Sequence, residues 1–182
     1  MDRYVAFLRG MNLGGRRIKN EELRAEFEAL GFGEVACFRA SGNVVFAGNG
    51  AGEAQLTARI EAGLGDALGY EVPVFLRAAA ELRRIAAQQP FDARSLKASK
   101  GKLQIMFLEA TPKAAAREKA LRLGTDEDRL VLEGRELYWL PKGGLSESEL
   151  DLKAIAAALG QGTVRTMGTV EQIAAKYFTE RT

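Results

Sequence analysis

The chain has 182 residues, 47% hydrophobic and 27% charged, which suits one well-buried domain or two small halves and excludes a disordered protein. Its 26 lysines and arginines against 24 aspartates and glutamates leave a net charge of +2, without the basic excess of a dedicated nucleic-acid binder. No histidine is present, which removes Ser-His-Asp and Cys-His nucleophile systems and histidine-containing zinc sites, and the single cysteine, Cys37, excludes an intrachain disulfide.

The run RYVAFLR predicts a strand over residues 3–9, with Val5 and Phe7 on one face and Tyr4, Ala6 and Leu8 on the other. Residues 20–30 predict a helix that buries Leu23, Phe27 and Leu30, turns Glu21, Glu22, Glu26 and Glu28 to solvent, and ends at Gly31. EVACFR and NVVFA predict two strands joined by a tight ASG turn, with Cys37 as a core thiol. A helix at about 53–68 carries Leu56, Ile60, Leu64 and Leu68 and closes on Gly69, and VPVFLR is the last strand of the set. Strand, helix, strand, strand, helix, strand is the split βαβ order of ferredoxin-like folds.

A linking helix over 79–89 and the connector QPFDARSLKASKGK follow. They set a boundary near residue 95, between an N-terminal half (1–95) and a C-terminal half (96–182). The second half repeats the order. KLQIMFLEA is a strand, and TPKAAAREKALRLG is a helix with Thr111 as cap, Pro112 at its first position and Gly124 at its end. DRLVLEG and RELYWLP form a hairpin, with Tyr138 and Trp139 in the core. SESELDLKAIAAALG is a helix capped at Ser146, TVRT a short strand, and a final helix at 169–178, capped at Thr169, has no counterpart. The expected fold class is therefore α+β, two duplicated ferredoxin-like (βαββαβ) halves with an additional C-terminal helix. QIMFL and LYWL are apolar on both faces, as is the first strand, so the halves or two subunits are expected to cover each other's open sheet faces. A homodimer is one form of that expectation.

Function is expected in two loops. RGMNLGGRRIKN, residues 9–20, joins the first strand to the first helix with three glycines and four cations. In a ferredoxin-like sheet the first and third strands are central antiparallel neighbours, so this loop and the ASGN turn emerge on one edge. That edge gathers Arg9, Asn12, Gly14, Gly15, Arg16 and Arg17 with Ser41, Gly42 and Asn43, and the following helix aims its positive N-terminus there. These are the candidate binding residues for a small anionic, phosphorylated ligand, with arginine forks for its oxygens and backbone N–H groups near the glycines. The spacing matches neither G-x-G-x-x-G nor a P-loop. The plainer alternative is that the glycines bend a long connection, Asn20 caps the helix, and the arginines are solvated.

The pieces YVAFLRGMNLGG, ELRAEFEALGF, SGNVVF and VPVFLRAAAEL, with Pro90–Phe91 after them, resemble domain-of-unknown-function family 1697, a bacterial family, over nearly the whole chain. Relatives typically end in a Gly-rich turn before a Ser-initiated helix, similar to GGLSESEL here, and then carry Thr-x-Arg-Asn-Trp-Asn-Thr. This chain has TVRTMGT, keeping Thr163, Arg165 and Thr169 with Thr166, Met167 and Gly168 in place of the Asn-Trp-Asn. The resemblance implies the fold and the loops but no reaction, so whether the protein is an enzyme stays open.

No cofactor and no metal are expected. RASGNVVF matches the RNA-recognition consensus at Arg39, Gly42, Val44 and Phe46, but Ser41 and Asn43 stand at the stacking positions. Without aromatic platforms there, nucleic-acid binding is expected to be weak and sequence-independent, through the basic loop and the second basic run at Arg94, Lys97, Lys100 and Lys102. A structural or oligomerising module without a ligand is the other alternative. The lone cysteine and the lack of any apolar run near membrane-spanning length point to a cytoplasmic protein with no membrane partner.

Overall fold

In the computed structural model of the chain, residues 2–11, 17–40 and 42–179 are described. The fold is mixed α+β, with two four-stranded antiparallel sheets and, among the described residues, seven α-helices. By contacts the chain divides into residues 1–85 with 173–182, and residues 86–172.

The first sheet is built from β1 (Arg3–Leu8), β2 (Gly33–Cys37), β3 (Asn43–Ala47) and β4 (Val74–Ala78), in the order β2-β3-β1-β4. α1 (Asn20–Ala29) and α2 (Glu53–Leu68) cover one face. Their apolar stripes place Leu23, Phe27, Leu56, Ile60 and Leu64 against the alternate strand residues Ala6, Leu8, Val44, Phe46 and Leu76. Gly69 ends α2 in the left-handed conformation at φ 74°, as the helical period predicts. Val5, Phe7, Val45 and Phe75 on the opposite face are just as inaccessible within the single chain. β4 runs directly into α3 (Ala79–Ala86).

The second sheet uses β5 (Gln104–Leu108), β6 (Asp128–Glu133), β7 (Glu136–Pro141) and β8 (Gly162–Thr166), in the order β6-β7-β5-β8. α5 (Ala114–Leu121) and α6 (Leu152–Leu159) supply Ala120 and Ile155 to a core with Met106, Leu108, Leu132 and Leu137. α4 (Ala93–Ala98) lies before β5, capped by the Asp92 carboxylate on the Ser95 N–H at 2.8 Å. β8 runs directly into α7 (Met167–Tyr177), as β4 does into α3, so the last helix does have a positional counterpart.

Equivalent registers recur in the two sheets. Val5 lies opposite Arg77 and Ile105 opposite Arg165, while Phe7 faces Asn43 and Phe107 faces Glu136. The Leu8 N–H donates to the Gly42 carbonyl at 2.8 Å and the Leu108 N–H to the Arg135 carbonyl at 2.9 Å. Arg77 and Arg165 each donate to the carbonyl of the preceding residue, Leu76 and Val164. Burial lowers the Arg165 guanidinium to about 10, because the charged form loses its hydration.

Several helix starts differ from the sequence expectation. α1 begins at Asn20, not after it: Lys19 holds the cap position, and its N–H is taken by the Glu22 carboxylate at 3.0 Å. α5 begins at Ala114 with Lys113 at the cap position and no side-chain acceptor, so neither Thr111 nor Pro112 initiates it. Ser146 lies in a single 3-10 turn (Leu145–Glu147), and α6 starts only after Asp151, whose carboxylate accepts the Ala154 N–H at 2.9 Å. The segment between is held off helical geometry because the Ser148 hydroxyl is drawn to Asp128 at 2.7 Å. At α7 the capping hydroxyl is that of Thr166, which accepts the Thr169 N–H at 3.2 Å, one turn earlier than expected.

Candidate functional site

The first unit brings the end of β1 beside the β2–β3 turn. The Leu8–Gly42 hydrogen bond and the Phe7–Asn43 register fix that juxtaposition, and the Arg9 N–H anchors the other side by donating to the Pro73 carbonyl at 3.0 Å. Gly42 is required there twice over. Its φ is +67°, and a Cβ would lie 3.0 Å from Met11 Cγ and 3.1 Å from Leu8 Cβ. Arg39, at φ 57°, shares the tight reversal, and the Phe38 N–H closes it on the Asn43 carbonyl at 2.9 Å.

Of the nine sequence-derived site residues, Arg9, Arg17, Gly42 and Asn43 are described, whereas Asn12, Gly14, Gly15, Arg16 and Ser41 lie outside the described residues. Arg9 and Arg17 are exposed. Arg17, Lys19, Asn20, Glu21, Glu22 and Ala40 are among the residues lining an open depression of about 700 Å³. The end of the long loop thus meets the β2–β3 turn in one concavity. Asn43 is only 1% exposed, and its side-chain amide donates to the Phe38 carbonyl at 3.0 Å, so it holds the turn in shape.

The electrostatics modify the expectation drawn from helix polarity. Glu21 and Glu22 occupy the first turn of α1, and Glu22 already takes the Lys19 N–H. The positive end of the helix is therefore complemented from within the chain. Among the described residues of this edge, Arg9, Arg17 and Lys19 are exposed cations. Cys37, beside it in β2, is half-buried and its thiol donates to the Asn20 carbonyl at 3.5 Å; burial pushes the thiol pKa up.

Two further concavities were not legible as sites. One, of about 920 Å³ in the first unit, is lined by Arg3, Glu34, Arg83, Lys176 and Tyr177 among others. Its arginines serve the end of α7: Arg3 donates to the Tyr177 carbonyl at 2.5 Å and Arg83 to the Phe178 carbonyl at 3.1 Å, satisfying acceptors that a helix terminus leaves open. The other, in the second unit, is a cavity of about 470 Å³ with Asp128 among its lining residues. Trp139 is a core residue, as its strand context suggests, and its buried indole N–H donates to Asp128 Oδ1 at 2.7 Å. A buried tryptophan demands an acceptor, and that demand is the one sequence signal pointing to this carboxylate.

Among the described residues, no group of three or more His, Cys, Asp and Glu side chains is placed to hold a metal ion. No helix among them is long and apolar enough to cross a membrane.

Residues 1–138 match the family profile described as "Protein of unknown function (DUF1697)". Among curated proteins none matches the chain. A solved structure, conserved bacterial protein SP0830 from Streptococcus pneumoniae, is similar with a TM-score of 0.71 at 19% identity, over 96% of this chain and 97% of that one. At that identity the likeness concerns the fold.

Proposed function

The chain belongs to the DUF1697 family, whose function is unknown, and from that premise we propose that it binds a small anionic, phosphorylated ligand at the edge formed by the β1–α1 loop and the β2–β3 turn. The observation that carries the proposal is the Leu8–Gly42 hydrogen bond, which gathers a cation-rich loop and a glycine turn on one side of the sheet. Arg9, Arg17 and Lys19 supply charge, and Arg16 with the backbone near Gly14 and Gly15 extends the same donor set. Asn12 and Ser41 orient rather than attract, and Asn43 keeps the turn in shape. A reducing, cytoplasmic compartment is part of the same reading, in keeping with the lone Cys37.

The scaffold we propose for that edge is a duplicated ferredoxin-like fold, with halves that meet in the connector near residue 95. Its support is the repeated strand order together with the Val5:Arg77 and Ile105:Arg165 registers. Nucleic-acid binding through the sheet surface is disfavoured by the burial of Val5, Phe7 and Asn43, which leaves only weak phosphate contacts through the loops.

A thermal-unfolding screen of nucleotides, sugar phosphates and small acids tests the proposal. A ligand at a hundredfold excess over its Kd stabilises by ~2.7 kcal/mol, which raises Tm by roughly 5 to 10 °C for a chain of this size. Arg9→Ala and Arg17→Ala abolish the shift, while Lys97→Ala in the connector leaves it unchanged. A shift that survives both loop substitutions places the site elsewhere. A broad panel without a hit favours the structural or oligomerising module, a reading to which the internal use of Asn43 and Glu22 already lends weight.

A further inference from the structure

Asp128 opens β6 and is 3% exposed, yet it lines the 470 Å³ cavity of the second unit. Two donors converge on one of its oxygens: Trp139 Nε1 at 2.7 Å and the Ser148 hydroxyl at 2.7 Å, both on Oδ1. Oδ2 takes no hydrogen bond from the described residues. The backbone around it is tied down as well. The Thr125 hydroxyl accepts the Glu127 and Asp128 N–H groups, and the Thr125 N–H donates to the Asp128 carbonyl. The carboxylate is thus held through Oδ1, and Asp128 is one of the residues lining the cavity.

The surroundings specify the charge of what can meet it. Glu127, Glu147 and Glu149 share the lining. Glu127 is paired with Lys142 at 2.6 Å and Glu147 takes the Gly144 N–H at 3.2 Å, whereas Glu149 has no ion pair among the described residues. Asp128 and Glu149 therefore leave an uncompensated negative field in a concavity whose remaining walls include Leu123, Pro141 and Leu150. Negative charge beside apolar walls fits an ammonium on an aliphatic chain. The volume lies within the range of small-molecule sites, and the carboxylates are not arranged as a metal cluster.

We propose that this cavity is a binding site for a small alkylammonium compound, with the ammonium on Asp128 Oδ2 and its methylenes along Leu123, Pro141 and Leu150. Isothermal calorimetry of the full chain with 1,5-diaminopentane at low ionic strength is the test. The expected result is saturable binding, weakened ~10- to 100-fold by Asp128→Asn, since a hydrogen bond to a charged group is lost. Glu149→Gln weakens it by a smaller factor, and pentane-1,5-diol does not bind. Asp128→Asn keeps an acceptor for Trp139 and Ser148, which preserves the fold; if its melting curve nevertheless differs from wild type, Glu149→Gln and the diol decide the matter. Absence of saturable diamine binding, equal binding of the diol, undiminished diamine binding in both variants, or tighter binding of calcium than of the diamine would each overturn the proposal.

Discussion

The two sheets share strand order and register but place opposite charges at their loops. In the first unit the connection after β1 is long and cationic, and it lies beside the β2–β3 turn at Gly42. In the second unit the corresponding connection between β5 and α5 is only residues 109–113, and the polar concavity sits at the other end of the sheet, where Asp128 begins β6 and Pro141 ends β7. Strand pairing sets which loops emerge together. Loop length and side-chain charge then decide whether the edge is a concavity of mixed charge, an acidic one, or a plain turn.

The largest expected effects test whether the two sheets are equivalent in energy as well as in register. Phe7 and Phe107 are both fully buried and face Asn43 and Glu136. Phe7→Ala and Phe107→Ala are each expected to cost ~3 to 5 kcal/mol in urea denaturation, through lost transfer energy and the cavity left behind. A cost below about 1 kcal/mol for one of them breaks the equivalence.

The turn glycines sharpen the comparison. Gly42 and Gly134 both have positive φ, +67° and +58°. A Cβ at Gly42 meets Leu8 and Met11 at about van der Waals overlap, while at Gly134 the nearest atom is Glu136 Oε2 at 3.5 Å. Gly42→Ala is expected to destabilise by ~2 kcal/mol and Gly134→Ala by ~1 kcal/mol in the same assay. Equal costs would mean that the packing beneath Gly42 yields freely.

A smaller effect separates the true helix cap from the apparent one. Asp151→Ala removes the acceptor for Ala154 N–H and is expected to cost ~1 kcal/mol, whereas Ser146→Ala stays within about 0.5 kcal/mol. Smallest of all is the response of Cys37. Burial raises its thiol pKa above the ordinary value of 9.0, so the stabilisation it gives is fully present below pH 9 and is lost as pH rises through the folded-state value. Alkylation by iodoacetamide at pH 8 is expected to be several-fold slower in the native protein than after unfolding, and equal rates would contradict the buried thiol.

These contrasts explain what could be seen in the sequence. α2 was legible to the residue because Leu56, Ile60 and Leu64 keep a helical period and Gly69 supplies the left-handed end. The adjacency of the β1 loop and the β2–β3 turn followed from strand order alone. Helix starts were less legible, since Ser146-x-x-Glu149 has the spelling of a capping box while a distant carboxylate, Asp128, draws Ser148 into a different turn. The same distance hid the second cavity: Asp128, Trp139 and Ser148 meet only once β6, β7 and the following turn are assembled. The like order of elements in the two sheets could be read from the sequence, whereas the matching positions of Phe7-Leu8 and Phe107-Leu108, and of Arg77 and Arg165, became apparent only through the register.

The contrast between the two units is tested most directly by following backbone amide shifts of the full chain while adding pyrophosphate in one titration and 1,5-diaminopentane in another. The account predicts saturable shifts confined to Arg9, Arg17–Asn20 and Ala40–Asn43 with the anion, and to Thr125–Asp128 and Ser148–Leu150 with the diamine. Shifts of one common set by both compounds, or of neither set by either, would contradict it.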